Sequence, residues 1–146
     1  MKKLVFCIYM LAISFGFAQK IDVSQSIINE NVGIKKYHNK SELIRMDKGE
    51  LLGLYMERVE DLVKTLPYIA FATKPGKTMA TYGIPNSKEN RKALLNKENA
   101  TTDFLKTTIQ FQEKMLPYSD KSNLVAAILF YEETMKSLQQ YDELNH

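Results

Sequence analysis

The sequence predicts an all-α fold: a small antiparallel helical bundle, with three long helices plus a weaker N-terminal one and a long ordered central loop. Three observations carry that prediction. Apolar residues recur at steps of three and four over three separate stretches. Capping residues stand in front of those stretches. Proline closes two of them, at Pro67 and Pro117, where its ring blocks the next helical turn. Helices with one apolar stripe each bury it most economically against one another.

The first residues stand apart from the fold. Lys2 and Lys3, the nearly unbroken apolar run from Leu4 to Phe17, and the small residues of Gly16-Phe17-Ala18 have the layout of a secretory leader. The run is shorter than the roughly 20 residues a helix needs to span a bilayer. Cys7 lies too early in it to serve as a lipidation site. Residues 1–18 are therefore expected to be a cleaved signal peptide, and 19–146 a single helical-bundle domain, periplasmic or secreted in a Gram-negative-type envelope. Cleavage removes two lysines and the only cysteine. The formal net charge of +3 falls accordingly, no disulfide is possible, and no strong basic field remains for nucleic acid. No membrane-spanning segment is expected after processing.

Within the predicted mature chain, Ile27, Ile28, Val32 and Ile34 fall near helical spacing and predict the weak helix, from Ser26 to Tyr37. Asp47 and Glu50 form a capping box for the next helix. Its stripe is Leu51, Leu52, Tyr55, Val59, Leu62, Val63 and Leu66, with Glu57, Arg58, Glu60, Asp61 and Lys64 on the other face. An additional apolar turn, Leu43, Ile44 and Met46, allows an earlier start at Ser41. Asn86 and Glu89 make a second capping pair, before one long helix from about Ser87 to Met115. Its stripe is Ala93, Lys97, Ala100, Phe104, Thr108, Phe111 and Met115, widened by Leu94, Leu105, Ile109 and Leu116. Ser119-Asp120 caps the last helix, which carries Leu124, Ala127, Ile128, Tyr131, Met135, Leu138 and Tyr141 inward and Glu132, Glu133, Lys136 and Gln139 outward. The short turn at Pro117 makes the last two helices antiparallel neighbours.

The central loop, about 67–86, is the candidate interaction surface. It is long for a small helical domain, and loops of that length are usually functional or packed upon themselves. It is aromatic, free of acidic residues and basic: Tyr68, Phe71, Lys74, Lys77, Met79 and Tyr82 are its candidate contact residues. Thr78 to Gly83 reads as a single helical turn, with Thr78 as cap and Gly83 as the left-handed closing residue.

The common chemical motifs are not met. Gly76-Lys77-Thr78 resembles the end of a phosphate loop, but position 71 is Phe where that motif needs glycine. Of the two histidines, His38 does not follow a glutamate by three residues and His146 follows Glu143 by three, so the two Glu-x-x-His pairs that the di-metal pattern of helical bundles needs are not both present. No metal site and no cofactor is expected. The glutamates at 57, 60, 113, 132 and 133 read as solvated faces, and no nucleophile stands beside a base. The function expected on these grounds is a non-catalytic binding or accessory protein of the envelope, meeting an envelope protein or an apolar ligand. The alternative is a small periplasmic hydrolase or lyase with a carboxylate-based site.

Overall fold

The computed structural model describes residues 25–72 and 74–144. The expected leader and its cleavage point lie outside them. The described chain is all-α, with four α-helices and three short 3-10 turns. Helix α1 is Lys40–Arg45, α2 is Lys48–Thr65, α3 is Lys88–Met115 and α4 is Lys121–Leu144.

The first three helices begin where their sequence supplies an acceptor. Asn39 and Glu42 form a full capping box on α1, and Asp47 and Glu50 form another on α2. Such a cap contributes about 1 kcal/mol by satisfying an orphan backbone donor. The two helices are separated by an extended Met46, so the earlier start near Ser41 is a separate short helix. For α3 the cap is Ser87, whose hydroxyl accepts from the Asn90 amide; Asn86 does not take that place. Helix α3 then runs unbroken to Met115. The two Leu-Pro-Tyr triplets each form a 3-10 turn directly after a helix, at Leu66–Tyr68 and Leu116–Tyr118.

Helix α2 is the centre of the packing, with extensive contacts to both α3 and α4. The Lys48 ammonium donates to the Pro117 carbonyl, Tyr55 meets Tyr131, and Arg58 meets Glu132. These pairs ascend together, so α2 and α4 run in the same sense. The main core lies between α1, α2 and α4, where Leu43, Leu51, Leu124, Val125 and Ile128 are buried. Each contributes roughly 1.5–3 kcal/mol by leaving water. The Tyr55 and Tyr131 hydroxyls lie 3.2 Å apart. Burial first, and the bond to Tyr55 second, push the Tyr131 hydroxyl up to about 12.

Three sequence expectations need correction. The weak helix over Ser26–Tyr37 does not form; its residues make an irregular strap across the central loop. Ile27 donates to the Lys77 carbonyl at 2.8 Å, and the Gly76 amide donates to Ile28 at 2.9 Å. Adjacent Ile27 and Ile28 are both buried, against Ala72 and Met79. The second correction concerns α3. Its expected inward stripe faces water, with Phe104 56%, Phe111 62% and Met115 52% exposed, while Leu105 is buried and Leu94, Ile109 and Leu116 are half-buried. A helix packed on one main neighbour covers only a narrow seam, and the leucines occupy it. The third is the reading of Glu132, Arg58 and Asp61 as solvated, since all three are buried.

The central loop is ordered by the strap beneath it. Thr78–Gly83 forms the expected turn, and Gly83 closes it at φ 67, a conformation that favours glycine. Thr78 makes no side-chain cap bond there; its hydroxyl lies 3.4 Å from that of Thr81.

Candidate functional site

Two buried polar clusters flank one turn of α2, and their carboxylates differ in how well they are paired. The first is centred on Glu132, which is fully buried. Its Oε1 accepts from Arg58 Nε at 3.0 Å and faces His38 Nδ1 at 3.0 Å, and its Oε2 accepts from the His38 amide at 2.6 Å. Arg58 also donates to the Lys36 carbonyl and to Glu57. Every strong hydrogen-bonding atom of the carboxylate is thus engaged, and the strap is tied to α2 and α4 at once. Beside it the Tyr37 ring lies under the Lys136 ammonium, 5.2 Å from the ring centre. Burial first, and Glu132 second, push the Tyr37 hydroxyl up.

The second cluster lines a cleft of about 570 Å³ between the strap, the end of α2 and the first half of α3. That volume lies in the usual range for small-molecule sites. Asp61 is 7% exposed. Its Oδ1 accepts from the Gly33 amide at 3.1 Å, while its Oδ2 is buried with no hydrogen-bond partner. Gly33 holds φ 140, a backbone shape that admits a side chain poorly, and this brings its amide to Asp61. Burial, above all, pushes the Asp61 carboxyl above its ordinary value; Glu57 acts in the same direction, against the Gly33 bond, Arg58 and Lys64. Thr101, across the cleft on α3, also has a buried hydroxyl without a partner.

The cleft is acidic. Four carboxylates line it, Glu57, Glu60, Asp61 and Glu98, against two lysines, Lys35 and Lys64. Glu57 bonds Arg58, and Glu60 bonds Lys64. Asp61 and Glu98 meet neutral donors instead, the Gly33 amide and the Gln25 side chain. Among the described residues no group of three or more His, Cys, Asp and Glu is arranged to hold a metal ion.

The expected contact residues of the central loop are dispersed. Tyr68 lines the cleft, and burial, with Glu98 second, pushes its hydroxyl up. Met79 is buried in the small core with Ile27, Ile28 and Ala72, and Tyr82 packs half-buried against it. Phe71 is exposed and meets Tyr68 edge-on, ring centres 6.0 Å apart. Lys74 and Lys77 lie at the surface.

Sequence reasoning missed Asp61, Glu98 and Thr101. One signal for the buried polar positions was present. Arg58 lies seven residues after Leu51 and four before Leu62, and Glu132 lies four after Ile128 and three before Met135. Both stand in phase with core positions. Comparison with protein-family models, with curated proteins and with solved structures finds no match to this chain.

Proposed function

We propose that this chain is a non-catalytic binding module of the cell envelope, exported by its leader, and that the cleft between strap, α2 and α3 receives a small ligand. The observation that carries the reading is Asp61, whose Oδ2 is buried without a partner in the wall of an open cleft. An unmet buried acceptor costs free energy, about 1–3 kcal/mol, that an apolar residue would avoid. Its retention is accounted for by a donor arriving from outside. Binding is favoured over catalysis because Glu57 and Glu60 are held by cations, and His38 is committed to Glu132.

A second reading is supported by α3. Phe104, Phe111 and Met115 lie on one exposed face at steps of seven and four, a length of about 16 Å. Such a stripe suits docking to an envelope protein.

Affinity capture of the protein from its own envelope tests both. Species are identified by mass and compared with those held by Thr102→Trp, which fills the cleft from an exposed position, and by Phe111→Ser. A small molecule retained by the unaltered protein and lost with Thr102→Trp is the expected result. Equal recovery with both cleft forms overturns the cleft reading.

A further inference from the structure

We infer that the ligand of this cleft is a small organic ammonium, a primary amine carried on a short apolar stem. The inference rests on the cleft being the binding site and adds the chemistry of what enters it. The polar side of the cleft holds an unmet acceptor. Asp61 Oδ2 and the Thr101 hydroxyl are both buried without a partner. An ionised carboxylate only accepts, and an ammonium offers three donors and no acceptor. Charge-assisted bonds of that kind are about twice as strong as neutral ones.

Charge points the same way. Of the four carboxylates, Glu57 and Glu60 already bond Arg58 and Lys64, whereas Asp61 and Glu98 accept hydrogen bonds from neutral groups. An anion would face this surplus, and a bare metal ion would lack a ligand set, since no group of three suitable side chains is arranged for one among the described residues. Part of the wall is apolar, with Ile27, Ile28, Val32, Leu94 and the ring of Tyr68. That surface accepts a hydrocarbon stem, and an aromatic ring face attracts a cation as well.

The test uses three probes of one length: hexylammonium, hexanoate and 1-hexanol. Each is titrated into the isotope-labelled protein while backbone amide shifts are followed. Hexylammonium is expected to give saturable shifts at Gly33, Asp61 and Glu98, with at least tenfold weaker binding in Asp61→Asn. That variant keeps an oxygen for the Gly33 amide, and an unchanged or higher Tm shows that it is folded. Glu133→Gln, at an exposed carboxylate of α4 remote from the cleft lining, is expected to bind as the unaltered protein does. Equal or tighter binding of hexanoate or hexanol at the same amides overturns the ammonium assignment and leaves the cleft reading standing. No saturable change at these amides with any probe overturns both. Equal hexylammonium affinity in Asp61→Asn, or shifts spread over surface carboxylates without saturation, also refutes the assignment.

Discussion

Glu132 and Asp61 are both carboxylates buried against α2, and only one is fully engaged. Glu132 is met by a guanidinium, an imidazole and a backbone amide. Asp61 is met by a single amide on one oxygen. Burying an ion costs several kcal/mol, which close partners offset. The first cluster therefore reads as a structural knot that pins the strap across α2 and α4. The second carries a cost without full compensation inside the chain, the arrangement expected of a binding position. Two residues of α2 separate Arg58 from Asp61, so the contrast comes from what each meets in the fold.

The largest expected effect is at the knot. Glu132→Ala leaves the Arg58 guanidinium buried without its carboxylate, and such a break costs about 3–5 kcal/mol. Urea unfolding measures it, and a loss below about 1 kcal/mol would mean that the knot is not structural. Met79→Ala comes next, at about 2–5 kcal/mol, as for buried methionines in general. Loosening the small core under the central loop should also weaken probe binding in the neighbouring cleft, since Ile27 and Ile28 line both.

Asp61→Asn is expected to act in the opposite direction. Relieving a single conflict of this kind raises stability by about 0.5–2 kcal/mol. The sign follows from the raised carboxyl pKa, which means that the folded state holds its proton more tightly than the unfolded chain. Asp61 therefore opposes folding increasingly as pH rises from its ordinary value of 3.8 through the raised folded value. Unfolding midpoints of the two forms should differ at neutral pH and converge below 3.8. A gap that is constant with pH would remove the charge as its cause.

The smallest effect separates the two Leu-Pro-Tyr turns. Tyr118 is 87% exposed, so Tyr118→Ala should change stability by under about 0.5 kcal/mol. Tyr68 is half-buried in the cleft wall, and Tyr68→Ala should cost more than Tyr118→Ala and lower probe affinity. Equal, negligible changes at both would place Tyr68 outside any working surface.

Much of the secondary structure was legible beforehand. The caps at Asp47–Glu50, the proline stops at Pro67 and Pro117, and the turn closed by Gly83 are local devices, set by residues within a few positions of one another. Local backbone chemistry acts at that range, so the sequence alone determined the all-α class, the three long helices and an ordered loop. Which face of α3 turned inward was not decided locally. Its apolar arc was wide enough for two phases, and only packing against α2 selected Leu105 over Phe104. The strap and the cleft were further from reach. Gln25 meets Glu98, His38 meets Glu132, and Gly33 meets Asp61 across separations of 73, 94 and 28 residues. Hydrogen bonds depend on direction and distance to partners that the chain brings together only when folded. For that reason composition and spacing determined where the helices lie, and tertiary structure alone decided which buried carboxylate was satisfied and which kept an oxygen without a partner.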